Sequence, residues 1–198
     1  MITIQPTTIR ILAPIALAVG ALAPKCLYVA SNYYVDTYRQ ATSYVQERYE
    51  NALRYVNLQP VQSDGDIDQY ITDYAKEFQI PRNLLKANVV TESALNSDAY
   101  SNKGAIGLAQ IMPFNAKRCG VKKVSKLWDE KANIRCGAQI LSEELTTYRG
   151  DVVKALQSYN GGPGCINKCR ESIAHANKAL ATFAKLEYSQ ASEYKDLG

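Results

Sequence analysis

The sequence predicts a mainly α-helical protein, on two observations. From Ile67 onward, apolar residues recur at spacings of three and four in stretches bounded by Asp, Pro and Gly. Nowhere in that region do apolar and polar residues alternate for long enough to make a convincing strand. A third observation sets the scale: 198 residues hold one medium domain plus an appendage, with aliphatic and aromatic residues ample for a core.

Taken in order, the first element is the apolar run Ile11 to Ala23, preceded by Arg10. It reads as a signal-peptide core or a membrane anchor. Ala21-Leu22-Ala23 has the small residues of a cleavage site, but Pro24 would follow the cut and disfavours it. Ala23-Pro24-Lys25 before Cys26 is not a lipoprotein box. The expectation is an uncleaved transmembrane helix within residues 1–30, with a cleaved signal as the alternative. The uninterrupted run falls short of the ~20 residues of a bilayer crossing. Lys25 would therefore snorkel to the interface beside Tyr28.

Residues 31–57 read as a helical stalk. Val35, Tyr38, Thr42, Val45, Tyr49, Ala52 and Val56 form a short heptad seam, which makes self-association through residues 35–56 an expectation. At ~1.5 Å per residue the stalk would reach roughly 35–40 Å. Residues 58–66 are a turn-rich linker, residues 67–186 the main domain, and residues 187–198 a polar, frayed tail. Within the domain, helices are expected at Ile67–Phe78, Pro81–Glu92, Leu108–Arg118, Glu130–Tyr148, Val152–Tyr159 and from Pro163 to about Tyr188. Asp66, Asp129 and Asp151 serve as caps, Pro81 suits a first turn, and Gly150 ends a helix. A small hairpin or sheet has room in Asp98–Ile106.

Composition removes several functions. The net charge of +4 comes without a basic run or a stacked aromatic code, so no nucleic-acid role is expected. A mildly basic surface suits an acidic polymer. Tyr (14) far outnumbers Phe (3), and the Tyr-rich part is the arm from Tyr28 to Tyr55. Asp64, Asp66 and Asp68 alternate as in a calcium loop, but the Gly and terminal Glu of that loop are missing. Cys165, Cys169 and His175 lack a fourth zinc ligand. No metal or cofactor is therefore implied, and His175, the single histidine, reads as a helix-surface residue. Five cysteines are many for a cytosolic protein of this size. Cys119 and Cys136 flank a loop they could staple. Cys165 and Cys169, four apart, would need a distorted helix to bond, and Cys26 is left over.

The chemistry concentrates in Thr91 to Pro113. Glu92 leaves an apolar helix carrying Leu84, Leu85, Ala87, Val89 and Val90. A carboxyl packed against apolar neighbours favours its protonated form, which is what an acid catalyst of glycoside cleavage needs. Ser93 follows Glu92 directly. After a polar run comes Gly107-Leu108-Ala109-Gln110-Ile111-Met112-Pro113, then Asn133-Ile134-Arg135-Cys136-Gly137, then Ser158-Tyr159-Asn160-Gly161-Gly162.

In this order and spacing the four blocks resemble the catalytic domain of the family 1 lytic transglycosylases, whose motifs read Glu-Ser, Gly-Leu-Met-Gln, Asn-Ile-x-x-Gly and Ala-Tyr-Asn-x-Gly. The resemblance covers roughly Ile67 to Ala174. Two departures are Ala109 for Met, expected to loosen packing against a sugar, and Ser158 for Ala. The resemblance implies a lysozyme-like fold, peptidoglycan as substrate, and Glu92 as the single catalytic acid and base. Glu92 would protonate the oxygen between N-acetylmuramic acid and N-acetylglucosamine, then take the proton of the muramic 6-hydroxyl as it closes on C1. Ser93, Gln110, Met112, Tyr159 and Asn160 would bind substrate, with Tyr159 held against Glu92. Asn133 and Gly137 would be structural. A second carboxylate for a hydrolytic muramidase would have to be Asp98, which stands outside the motifs.

With its Cys119-Gly120 and Cys136-Gly137 pairs and its short domain, the chain resembles the small muramidases of secretion systems, conjugation systems and phage particles. They imply a translocation machine or a virion as partner. The implied location is the inner membrane facing the periplasm, or a virion membrane, with secretion to the periplasm as the alternative. A non-catalytic wall-binding component is the rival from another class, and the intact Glu92, Gln110 and Tyr159 speak against it.

Overall fold

The computed structural model describes residues 65–195. The anchor or signal segment, the stalk with its seam, nearly all of the linker, and Cys26 lie outside these residues. Among the described residues no helix is long and apolar enough to cross a membrane.

Among the described residues five α-helices build the domain: α1 (Gly65–Glu77), α2 (Arg82–Ser93), α3 (Glu130–Thr147), α4 (Val152–Gly161) and α5 (Arg170–Lys195). The second is the axis of the fold. Seven consecutive residues, Asn83 to Val89, are buried, so α2 is enclosed on every side rather than amphipathic. It packs on α5 and α1, α5 packs in turn on α4, and α3 touches α1, α2 and α4. The core joins Leu84 and Leu85 of α2 to Ile71, Leu141, Leu145, Leu156, Leu180 and Phe183. Asp68 of α1 grips the base of α2 through Arg82 and the buried Lys86, each at 2.8 Å. Asp68 is thus an ion-pair anchor, and Asp66 lies within the first turn of α1 rather than capping it.

The helix ends follow local chemistry. The Asp129 carboxylate accepts from the Ala132 amide at 2.9 Å, and Asp151 accepts from Lys154 at 3.0 Å. Gly150, at φ 84°, closes the end of α3 as its N–H reaches the Leu145 carbonyl. The end of α2 has no glycine. Ala94 and Leu95 both adopt the left-handed region, at φ 53° and 66°, and turn the chain away just after Glu92 and Ser93.

Three expectations are corrected. Leu108–Arg118 is not a helix, although Leu108, Ile111 and Met112 have helical spacing. Gln110 sits at φ 48°, its N–H closes a turn on Gly107, and Ile111 pairs antiparallel with Ile106. Pro113 then permits only a 3-10 turn over Pro113–Asn115. The expected small sheet is present as two isolated bridges, Tyr100 with Ile106 and Ile106 with Ile111. The final helix starts at Arg170 rather than Pro163. A 3-10 turn over Pro163–Cys165 and Asn167 at φ 57° precede it. It also continues past Tyr188 to Lys195, into the stretch expected to fray.

Both cysteine pairs are bonded: Cys119 with Cys136, and Cys165 with Cys169. The first ties the loop before α3 to α3 across 17 residues, a span whose closure contributes on the order of 3 kcal/mol. The second lies in the turn before α5, where no regular helix has to distort. Two sulfurs bonded to each other are not a pair of thiolate ligands, which removes the zinc alternative.

Candidate active site

Burial of α2 delivers Glu92 to its station. The enclosed helix cannot shift without disturbing core on all sides, and Glu92 lies near its last residue, where the chain meets an open cleft. Glu92, Gln110, Met112, Tyr159 and Asn160 line that cleft with Ser101, Lys103, Asn115, Ile140 and Glu171. Five of the six residues expected at the site thus come together. Ser93 does not. Its hydroxyl turns back to the Val89 carbonyl at 3.4 Å and finishes the helix. Asp98 is exposed and outside the cleft lining.

The cleft wall formed by residues 99–111 is held from behind by Asn133, one turn into α3 and 1% exposed. Its Oδ1 accepts from the Ala109 amide at 2.8 Å. Its Nδ2 donates to the carbonyls of Ile106 and Leu127, at 2.8 and 2.7 Å. Gly107 must be glycine here. It lies at φ 72°, and a Cβ would fall 2.5 Å from the Asn133 amide nitrogen. Gln110 completes the wall, its Nε2 donating to the Gly107 and Ala99 carbonyls at 2.9 and 3.2 Å. That leaves Oε1 as the amide atom not engaged by the loop.

Tyr159 is placed differently from expectation. Its hydroxyl donates to the Ala109 carbonyl at 2.8 Å rather than to Glu92. Burial, with the Glu92 charge as a second cause, pushes this phenol well above its ordinary pKa, and the neighbouring Asn88 amide opposes the shift. The phenol therefore stays protonated. A Cβ on Gly137 would come within 2.5 Å of the Ala109 Cβ and 3.1 Å of the Tyr159 hydroxyl. The expected close packing at Gly137 is thus real, and Ala109 is fully buried against it rather than facing a sugar. Ser158, the other departure, is buried and accepts from the Tyr148 hydroxyl at 3.3 Å. Asn160 lines the cleft and also accepts from Ser172 at 3.1 Å, joining α4 to α5.

Two site residues were missed. Glu171 puts a second carboxylate in the cleft, paired with Lys103 at 2.7 Å across its mouth. The other is His175, read as a surface residue. It is buried, and its Nε2 lies 2.9 Å from Glu92 Oε1. The available signal was its register on α5, where Ser172, Ala176, Ala179, Leu180 and Phe183 mark the inward face.

The mainly helical domain, with a nearly buried carboxyl at an open cleft, has a lysozyme-like fold. The chain belongs to the transglycosylase SLT domain family, whose pattern matches residues 69–181. It is 36% identical over 104 residues to the transglycosylase of Enterobacteria phage PRD1, covering 52% of this chain and 38% of that protein. It is 32% identical over 107 residues to membrane-bound lytic murein transglycosylase C of Yersinia enterocolitica, covering 46% and 30%. With the soluble lytic murein transglycosylase of Escherichia coli K12 it shares 27% over 128 residues, covering 61% and 20%. The chain thus spans well under half the length of these relatives. The crystal structure of the 70 kDa soluble lytic transglycosylase from Escherichia coli superposes with a TM-score of 0.60 at 21% identity, over 83% of this chain and 30% of that one. An inactive mutant of lytic transglycosylase Slt from Pseudomonas aeruginosa gives 0.55 at 24%, over 63% and 24%.

Proposed function

We propose that this chain is a lytic transglycosylase that cleaves the β-1,4 bond between N-acetylmuramic acid and N-acetylglucosamine in peptidoglycan. The observation that carries this reading is the station of Glu92: a carboxyl with 10% side-chain exposure at the end of the enclosed helix, opening on a cleft with Gln110, Met112, Tyr159 and Asn160. In this reading Glu92 acts first as the acid and gives its proton to the glycosidic oxygen as the bond to C1 breaks. The substrate's own N-acetyl group supports the positive charge at C1. Glu92, now a carboxylate, takes the proton of the muramic 6-hydroxyl, whose oxygen closes on C1. One residue serves as acid and then as base, and no water is consumed. In this reading Gln110 Oε1 and Asn160 bind the sugars, while Tyr159 acts from behind the wall.

Glu171 supports a second reading, hydrolysis by a muramidase, because a second carboxylate in the cleft is what water activation requires. Its pairing with Lys103 favours the first reading. Digestion of purified sacculi separates them by mass. Muramic ends lighter by one water are expected, and full-mass reducing ends would overturn the transglycosylase reading.

The finer part of the proposal concerns place. Residues 11–30 tether the enzyme to a membrane, with the stalk holding the domain toward the wall. Pro24 after the small-residue triplet supports retention of that segment, and the two disulfides suit an oxidising compartment. Such a tether confines wall opening to one point, as a translocation machine or a virion requires, and one relative comes from a phage. The natural protein is expected to keep its N-terminus and to fractionate with membranes. A mature chain beginning near Ser31 in the soluble fraction would show a free enzyme instead.

A further inference from the structure

We propose that His175 is the positioning residue of Glu92: its Nε2–H holds Glu92 Oε1 and supports the carboxylate between the two proton transfers. This rests on the transglycosylase reading above.

The first ground is contact. Nε2 and Oε1 are 2.9 Å apart, and the two side chains retain 7% and 10% of their exposure. A carboxylate formed there has little water to stabilise it, so it needs a donor from the protein. The second ground is that three other donors of the cleft are committed. The Tyr159 hydroxyl donates to Ala109, and the Gln110 amide nitrogen is spent on Gly107 and Ala99. Lys103 is occupied with Glu171.

The third ground is cost. His175 stands on the inward face of α5, where Ala176, Ala179, Leu180 and Phe183 are fully buried. Neither ring nitrogen makes an aligned hydrogen bond among the described residues. A buried imidazole without aligned partners weakens a fold, and an apolar side chain at that position would pack without the penalty. The short but unaligned approach to Glu92 is the geometry of a contact that tightens when substrate enters, as hydrogen bonds in empty active sites commonly do. The proton count balances. Glu92 loses one proton to the leaving oxygen and regains one from the 6-hydroxyl, and His175 keeps its own throughout.

The test uses the full chain with a histidine-free tag, so that His175 remains the single histidine. His175→Leu is expected to lower kcat on sacculi roughly tenfold or more with KM nearly unchanged, while its unfolding temperature holds or rises. His175→Gln, which can return an N–H near the Nε2 position, is expected to recover most of the lost kcat. The ring nitrogen resonances of His175 are expected to move in Glu92→Gln. Normal kcat in His175→Leu overturns the proposal. So does destabilisation of both variants with activity falling only in step with the folded fraction. If His175→Leu does not fold, His175→Gln and the ring resonances decide, and unmoved resonances overturn it. Activity retained in Glu92→Gln would instead sink the transglycosylase reading itself, whereas its loss beside a normal His175→Leu removes only this inference.

Discussion

Glu92→Gln is expected to lower peptidoglycan cleavage by ~10²-fold or more, within the range general acid–base catalysis contributes, while the fold persists. The amide keeps the size of the carboxyl and its place at the end of α2 but cannot give up a proton at the glycosidic oxygen. The surrounding cleft is built from other groups. Asn133 and Gln110 hold the loop wall, Gly137 and Ala109 interlock behind it, and Tyr159 is satisfied by a backbone carbonyl. None of these depends on the Glu92 charge for its partner. Thermal unfolding of the variant is therefore expected within a few degrees of the parent, with sacculi still bound. Near-normal turnover would sink the assignment of Glu92, because the other carboxylate lining the cleft, Glu171, is exposed and engaged by Lys103.

Asn133→Leu is expected to be the most damaging single substitution for stability. One buried amide serves three backbone groups from two stretches of loop: the Ala109 N–H and the carbonyls of Ile106 and Leu127. Leucine is close in size but leaves all three unpaired in the interior. A buried polar group that loses its partner costs about 1–3 kcal/mol, so three of them, partly relieved by relaxation, should cost roughly 3–5 kcal/mol. In a domain of this size that corresponds to a fall of about 10–15 °C in unfolding temperature. Asn133→Asp should be no rescue, because it keeps the acceptor for Ala109 and turns a charge toward two carbonyls. Urea or thermal unfolding measures both. A loss below about 1 kcal/mol in Asn133→Leu would show that the loop wall stands without this residue.

Much of the helical framework was legible in the sequence because its signals are short-range. Asp129 and Asp151 cap helices as their positions predicted, and Gly150 ends α3. Glu92 and the four motif blocks were also legible, since few sequences place those residues in that order. Leu108–Arg118 misled for an equally physical reason. Leu108 and Ile111 are buried on one side, as in a helix, but Gln110 in the left-handed region reverses the chain between them. A non-glycine residue in that region announces itself weakly. It is held there by Gln110's hydrogen bonds to Gly107, a local turn contact, and to Ala99 eleven residues back, which depends on the folded loop.

The partners of the site residues belong to a different scale. Cap, turn and spacing act over a few residues, so the order of α1 to α4, the cysteine pairs and the candidate acid were open to a reading of the chain alone. Which oxygen Tyr159 meets, that Ala109 faces Gly137 and not a ligand, and that His175 stands against Glu92 are contacts across 50, 28 and 83 positions. Each depends on how α2, α3, α4 and α5 pack. Burial ranks side chains by the volume and polarity of what surrounds them, and those surroundings exist only once the helices have closed around α2.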